Sequence, residues 1–364
     1  MKLTRLVFCL CMITITLSMG IAPNQGAALS IGEAESLWTT DINPNPWSDH
    51  SRCSAVFARG QNWLYFDWTE TSHSNPDIYL LDGANAVPIV TGEEFELGPR
   101  VLYYDDQFYL TYRKATSDMP QGSAYAVFLR TSSDGIAFGP ETELFRPASS
   151  YIESHDILFA NGWFYLAYCD LAYGDIFVVK SRNLVDWTSP VCAASTPGTT
   201  DFCPALCWAK GKIWLAWDYT PLDGFSTVWV TSSPNGVDWS EPTEIPPTEP
   251  YKEVWGPFSL IWSKGQFILA TRAMYVGDQT SWRICFTASK DGITWSEYTL
   301  ATSPSCEFPY YQCVEKGSVV FPLKGASGSD GLDFAIVFKR LQFYYGSSGE
   351  RLFYGGIFRV IISV

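Results

Sequence analysis

Short apolar or aromatic runs alternate with polar turn signals along the whole body of this chain. The runs are interrupted by Asp-Gly or Asn-Gly pairs at residues 82–83, 134–135, 161–162, 235–236 and 291–292. Such pairs favour the positive backbone angles of tight hairpin turns, so each run is predicted to be a β-strand paired with its neighbour. The 22 prolines and 28 glycines oppose long helices. The pattern therefore predicts an all-β chain.

One turn motif recurs four times with constant internal spacing. Each copy has Ser first, Asp or Asn two residues later and an aromatic residue six later, at 132–138, 181–187, 233–239 and 289–295. The Asp or Asn side chain can accept hydrogen bonds from turn amides, and the aromatic ring can pack over the hairpin. These residues are therefore predicted to be structural and receive no catalytic role.

A second element precedes each motif and consists of a strand, a short turn and an aromatic strand. Its copies span 99–112, 155–168, 204–217 and 258–271, and weaker copies lie at 54–68 and 309–322. This spacing gives six units of about fifty residues with about four strands each. Four-stranded antiparallel sheets at this period are typical of a β-propeller. Six blades fit best, and the weak first and last copies leave five blades open.

The N-terminus has the order of a secretory signal peptide. Lys2 and Arg5 precede an apolar run from Leu6 to Ile21, and small residues follow as far as Ala28. The run is shorter than the ~20 residues that a membrane-spanning helix needs. We expect cleavage of residues 1–28, which would leave a single propeller domain over 29–364. The mature protein is expected to be secreted, without stable membrane insertion, and monomeric.

Composition narrows the range of partners. The formal net charge is −14, and only 17% of residues are charged, whereas about a quarter of an average chain is. No cluster of Lys and Arg is present, so nucleic acid is not expected as a partner. The three histidines are scattered, and no calcium-loop motif occurs. The sequence therefore predicts neither a cofactor nor a bound metal.

Eight cysteines follow the predicted cleavage point: Cys53, Cys169, Cys192, Cys203, Cys207, Cys285, Cys306 and Cys313. An even number in an exported chain permits disulfides. Buried thiols that behave as small apolar side chains are the alternative.

The Ser-x-Asp-Gly-x-x-Trp turns resemble the Asp boxes of sialidases, shortened by one residue. They also resemble turns of the five-bladed arabinanase, xylosidase and fructosidase hydrolases. The resemblance implies an active site at the opposite end, where innermost strands begin and second strands end. Charged residues gather at these two sets of positions, as is typical of a functional site. The first set is Arg52, Glu96, Arg100, Glu153, His155, Asp201, Glu253 and Glu307; the second is Asp67, Arg113, Asp170, Asp218 and Arg272.

The sialidase resemblance implies roles for individual residues. Three arginines would hold a substrate carboxylate, because a guanidinium binds both carboxylate oxygens. The remaining roles are an acid/base aspartate, a glutamate partner and a nucleophilic tyrosine. The arginines are Arg52, Arg272 and Arg283; the other residues are Asp77, Glu253 and Tyr310, with Tyr311 as the alternative nucleophile.

Three functions remain open from the sequence. The first is a sialidase-like glycoside hydrolase that removes terminal sugars from glycans. The second is a hydrolase of neutral sugars that uses three carboxylates as base, acid and pKa-tuning group. The third is a non-catalytic propeller that binds glycans or proteins. Three converging arginines would favour the first and three carboxylates the second. The carboxylate candidates are Asp67, Asp170, Asp201, Asp218 and Glu253.

Overall fold

The chain forms a six-bladed β-propeller with four-stranded antiparallel blades. The computed structural model describes residues 30–41, 53–69, 75–116, 124–196, 199–275, 278–302, 312–322, 333–345 and 351–363.

Blade 1 contains β3 (Cys53–Ala58), β4 (Gln61–Trp68), β5 (Asp77–Asp82) and β6 (Asn85–Val90), and blade 2 contains β7 (Phe95–Tyr104), β8 (Gln107–Ala115), β9 (Ala126–Ser132) and β10 (Thr142–Phe145). Blade 3 contains β11 (Ile152–Ala160), β12 (Trp163–Asp170), β13 (Asp175–Ser181) and β14 (Val191–Ala194), and blade 4 contains β15 (Thr199–Ala209), β16 (Lys212–Pro221), β17 (Thr227–Ser233) and β18 (Thr243–Ile245). Blade 5 contains β19 (Tyr251–Ser263), β20 (Gln266–Tyr275), β21 (Asp278–Ser289) and β22 (Thr299–Leu300).

Blade 6 is assembled from both ends of the described chain. Its inner strands are β23 (Gln312–Pro322), β24 (Asp333–Tyr345) and β25 (Arg351–Ser363). The N-terminal strands β1 (Ser30–Ile31) and β2 (Glu35–Asp41) pair with β25 and complete the sheet. The innermost strands contact one another in the order β3, β7, β11, β15, β19, β23 and back to β3. The ring therefore closes with six blades, and the five-bladed alternative is wrong.

Apolar side chains fill the spaces between neighbouring blades. Between blades 1 and 2, for example, Tyr65 and Phe108 are completely buried, and between blades 4 and 5 Trp214 packs on Phe267. Both faces of a blade's sheet are thus covered, which accounts for the weak alternation of apolar and polar residues along the strands. The described residues contain no α-helix.

The recurring turn motif has the structural role that its sequence predicts. In the third copy, Asn235 Oδ1 accepts hydrogen bonds from the amides of Val237 and Asp238, at 2.8 and 2.9 Å. Ser233 Oγ accepts one from the amide of Gly236 at 2.8 Å. The other three copies make the same bonds. All four copies join the third and fourth strands of a blade, which places them at one end of the propeller.

We expect Gly292→Ala to destabilise the protein more than Gly265→Ala does. Both glycines have positive φ, 81° and 84°, so an alanine strains the backbone by a similar amount at each. A Cβ at Gly292 would overlap the indole of Trp214, whereas a Cβ at Gly265 has nothing within 4 Å. Overpacking should add about 1–3 kcal/mol to the loss at Gly292 in urea unfolding. Equal losses would show that Trp214 moves aside freely.

Arg100 of blade 2 lies near the axis of the ring. Its Nε is 3.1 Å from Asp156 Oδ1 of blade 3. Its terminal nitrogens reach the carbonyl oxygens of Cys53 in blade 1 and Phe258 in blade 5, each at 3.5 Å. Asp156 in turn accepts a hydrogen bond from the amide of Leu206 in blade 4 at 2.7 Å. This ion pair, in which Arg100 is buried and Asp156 is half-buried, therefore connects five of the six blades.

Candidate functional site

We call the end of the propeller opposite the turn motifs the mouth. It is formed where innermost strands begin, at 95–97, 152–154, 199–202 and 251–255, and where second strands end, at 67–69, 113–116, 169–171, 218–221 and 272–275. Five innermost strands carry a β-bulge towards this end, as shown by register shifts in β7, β11, β15, β19 and β23. Bulges redirect side chains and are frequent beside functional sites.

One position near the end of each second strand faces the next blade. It lies seven residues after the second residue of the preceding hairpin turn and holds Asp67, Arg113, Cys169, Asp218 and Arg272 in blades 1 to 5. Asp67 Oδ2 accepts a hydrogen bond from the Gly98 amide at 2.7 Å, and Asp218 Oδ2 accepts one from the Gly256 amide at 3.2 Å. Arg113 donates to the carbonyl of Ile152 at 3.4 Å. At this position Asp67, Arg113 and Asp218 therefore connect neighbouring blades.

Asp170 is not at this position, because Cys169 occupies it. Asp170 instead shapes the loop that follows β12: its Oδ1 accepts a hydrogen bond from the amide of Ala172 at 3.1 Å. Its carbonyl oxygen accepts from Tyr173 and Gly174, at 3.1 and 2.8 Å. Such a turn-capping role satisfies the carboxylate without any ligand.

A second repeated contact joins the start of each innermost strand to the preceding blade. The amides of Glu96, Ile152, Asp201 and Val254 donate to the carbonyls of Pro76, Ala124, Gly174 and Ser226, at 2.7 to 3.2 Å. Since Asp77 follows Pro76 and Asp175 follows Gly174, this contact brings Asp77 beside Glu96 and Asp175 beside Asp201. Two equivalent carboxyl pairs thus lie at the junctions of blades 1 and 2 and of blades 3 and 4.

Both pairs hold a proton more tightly than isolated carboxyls do. Burial, reinforced by the charge of Asp77, raises the pKa of Glu96 to about 8. Burial raises the pKa of Asp201 to about 7; the hydrogen bond from Trp217 Nε1 at 3.0 Å opposes this shift and the charge of Asp175 adds to it. Asp77, the sequence's acid/base candidate, is therefore part of a buried pair and is itself only 5% exposed.

We expect Glu96→Gln to make stability less dependent on pH. The folded-state pKa of Glu96 lies above its ordinary value of 4.5, so the folded protein binds this proton more tightly than the unfolded chain. Stability from this group is therefore complete at low pH and is lost as pH rises through about 8. Between pH 5 and pH 8, the free energy of urea unfolding should fall by at least about 1.4 kcal/mol more for the wild type than for the variant. This is the value of one pKa unit. The exposed Glu297→Gln should leave the wild-type slope unchanged, and parallel slopes for all three proteins would contradict the assignment.

Three further carboxyls come from consecutive blades 3, 4 and 5. Glu153 is the extra residue of the bulge in β11, and Glu253 lies near the start of β19 with Oε1 3.4 Å from the Ser226 amide. The side chains of Glu153 and Glu253 are partly exposed. Asp218, which comes from the blade between theirs, is completely buried. Burial raises the pKa of Asp218 well above its usual value, and the charge of Glu153 adds to this shift. The Gly256 amide, the Thr220 hydroxyl and Arg272 oppose it.

Arg272 packs against two indole rings that also contact each other. Its guanidinium carbon is 4.1 Å from the ring centre of Trp255 and 4.7 Å from that of Trp282. The register places Arg272 opposite Ile284 and Arg283 opposite Ala273, so the two arginine side chains leave opposite faces of blade 5. Arg283 is 2% exposed and donates to the Trp282 carbonyl at 3.2 Å. The structure does not bring these two arginines to one face.

Other predicted residues are buried below the mouth or lie outside the described part of the chain. Arg100 lies at the axis, and His155 is 1% exposed with Nε2 3.0 Å from Thr111 Oγ1. Arg52, Glu307, Tyr310 and Tyr311 lie outside the described residues. Sequence reasoning missed Asp175 and Cys169, although counting seven residues from each hairpin turn identifies the position of Cys169.

Two further findings concern only the described ranges. No group of three or more His, Cys, Asp or Glu side chains in them is arranged to hold a metal ion. No helix in them is long and apolar enough to cross a bilayer.

No family model matches this sequence, and no curated protein does so either. Several solved structures share the fold. An α-L-arabinanase from Penicillium chrysogenum, complexed with arabinobiose, is 12% identical with a TM-score of 0.57, covering 90% of this chain and 98% of its own. An α-L-arabinofuranosidase from Fusarium graminearum, with an iminosugar inhibitor, is 10% identical with a TM-score of 0.55 over 90% and 98%. A protein of unknown function from Dyadobacter fermentans is 10% identical with a TM-score of 0.58 over 92% and 99%. At these identities the likeness establishes the propeller fold.

Proposed function

We propose that this protein is a glycoside hydrolase that acts on neutral glycans. The observation that carries the proposal is the set of three carboxyls from consecutive blades, Glu153, Asp218 and Glu253, at the mouth of a propeller. The middle carboxyl is buried and the other two are partly exposed. Hydrolysis of a glycosidic bond requires one protonated and one ionised carboxyl that reach the substrate.

The surroundings of the three carboxyls suggest their roles. Glu153 and Asp218 interact electrostatically. Because like charges repel, two neighbouring carboxyls share a single negative charge more readily than both ionise. Glu153, the partly exposed member, would then act on the substrate, and the buried Asp218, whose pKa is raised, would be the tuning group. Glu253 would be the base or nucleophile, because it is partly exposed and its Oε1 is positioned 3.4 Å from the Ser226 amide.

The arrangement of the arginines supports a neutral substrate over an anionic one. A sialidase-like site needs arginines that converge on one carboxylate, whereas Arg272 and Arg283 leave opposite faces of blade 5. Arg272 is also packed against Trp255 and Trp282. Two structures with the same fold are an arabinanase with arabinobiose and an arabinofuranosidase. We therefore place α-L-arabinofuranosides first among the substrates.

Hydrolysis of aryl glycosides by the purified protein tests this proposal. The panel contains a 4-nitrophenyl α-L-arabinofuranoside, a β-D-xyloside and an aryl sialoside. Release of nitrophenol from either pentoside supports the proposal. Cleavage of the sialoside alone would establish the sialidase-like alternative. No cleavage of any substrate would favour a non-catalytic binding propeller.

We also propose that the protein is secreted after cleavage behind Ala28 and functions as a monomer. The order of charged, apolar and small residues at the N-terminus supports secretion. N-terminal sequencing and light scattering of the exported product would test both points, and an intact Met1 would refute the cleavage.

A further inference from the structure

Large apolar side chains are exposed at both ends of the propeller, and aromatic rings predominate at the mouth. At the mouth, Tyr151, Tyr173, Leu222 and Phe225 are 42%, 66%, 82% and 47% exposed, and three of the four are aromatic. At the opposite end each turn motif exposes one aliphatic side chain, 44–76% exposed: Ile136, Val185, Val237 and Ile293. One large aromatic side chain of the described residues, Tyr104 at the end of β7, is also exposed there, at 41%. The aromatic set is restricted to blades 3 and 4 among the described residues.

The loops that carry these rings are held by hydrogen bonds. The loop of Tyr173 is capped by Asp170, and its ring packs edge-on against Phe177 at 6.0 Å between centroids. The loop of Phe225 is closed by Thr220 Oγ1 and Ser226 Oγ, 2.9 Å apart. Because these contacts position the rings without any ligand, the surface is already formed.

The exposed rings lie next to the proposed reacting carboxyls. Tyr151 is two residues before Glu153, and its carbonyl accepts a hydrogen bond from the amide of Leu171 at 3.0 Å, which joins it to the Tyr173 loop. On the other side, Lys252, which precedes Glu253, places its Nζ 4.4 Å from the ring centre of Phe225. Tyr151, Tyr173 and Phe225, which we call the aromatic rim, therefore run from the Glu153 strand to the Glu253 strand.

We infer that the aromatic rim binds successive rings of a neutral polysaccharide, so that the substrate is a chain and not a single terminal sugar. The C–H groups on one face of a sugar stack on the negative face of an aromatic ring. Aliphatic side chains such as those at the opposite end lack this face. Several carboxyls lie within three residues of a rim residue in the sequence, among them Asp170, Asp175 and Asp223, and the formal net charge of the chain is −14. This field disfavours acidic polysaccharides.

The inference rests on the proposed function for its substrate, but binding can be measured without catalysis. Native electrophoresis through gels containing arabinan, xylan or polygalacturonate measures retention of the whole protein. We expect arabinan or xylan, and not polygalacturonate, to retard the wild type. The double variant Tyr173→Ala/Phe225→Ala should bind the neutral polymer at least tenfold more weakly.

The matched control is Val185→Ala/Ile293→Ala, which removes two exposed apolar side chains at the opposite end. It should be retarded as the wild type is. The inference is overturned if no neutral polymer retards the wild type, if both double variants lose retention equally, or if polygalacturonate binds as well as arabinan. Retention without cleavage of any aryl glycoside and without release of reducing sugar from the retained polymer would leave the rim in place and refute the hydrolase. Cleavage without retention would refute the rim alone.

Discussion

Glu153→Gln and Glu253→Gln should each lower kcat for the cleaved pentoside by about 10²–10⁴-fold, the usual contribution of a positioned acid or base. Glutamine keeps the size of the side chain and removes proton transfer and charge. Because both side chains are partly exposed, the substitutions should leave the unfolding midpoint nearly unchanged. Initial rates with the aryl arabinofuranoside and xyloside, together with urea unfolding curves, measure both effects.

The matched control for these variants is Glu297→Gln, which changes an exposed glutamate close to the turn motif of blade 5 and away from the mouth. Its kcat should stay within about twofold of the wild type. Asp218→Asn should act differently, because Asp218 is buried and does not reach the substrate: it should shift the pH profile. Wild-type rates in both glutamate variants would show that other residues at the mouth are the reacting groups.

Arg100→Met should cost about 3–5 kcal/mol of stability, the usual effect of removing one partner of a buried ion pair. The substitution leaves Asp156 without its guanidinium and deprives the carbonyls of Cys53 and Phe258 of a donor. These groups belong to different blades, so the loss should be seen as a lower midpoint in urea with cooperative unfolding of the whole ring.

Arg146→Met provides the comparison for this variant. Arg146 pairs with Glu143 on the outside of blade 2, where both side chains are about 40% exposed, and an exposed pair contributes about 0–1 kcal/mol. The double variant Arg100→Met/Asp156→Asn, which removes both charges, should recover part of the loss. A cost below about 1 kcal/mol for Arg100→Met would show that the axial ion pair does not hold the blades together.

The repeated blades were predictable from the sequence because their signals are local. The hydrogen bonds of a Ser-x-Asx turn join residues within four positions of one another, as those of Ser233 and Asn235 do. The turn can therefore be recognised without the rest of the chain. The hairpin between the first and second strands is equally local. Counting such units was enough to favour six blades, and only the contact of β23 with β3 closed the ring at six.

The candidate site was less predictable because it depends on contacts between blades. A hydrogen bond from the Glu96 amide to the Pro76 carbonyl brings Glu96 beside Asp77. No turn motif in the sequence indicates this contact. Arg272 and Arg283 are separated by the register of β20 and β21, and the connection between these strands includes residues 276–277, outside the described ranges. In β12 a difference of one residue puts Cys169, and not Asp170, at the position that faces the next blade. Single-residue offsets of this kind decide which side chain reaches a site.

The sheet of blade 6 joins the two ends of the described chain, since β2 pairs with β25 along Glu35–Asp41. The ribosome synthesises β2 long before β25, so β2 cannot pair until β25 has been made. Until then the core face of blade 1 and the edge of β2 remain uncovered, and unpaired edges invite association with other chains. Cotranslational folding can thus build blades 1 to 5 in order, but the ring acquires its cooperative stability only when synthesis has reached the final strand.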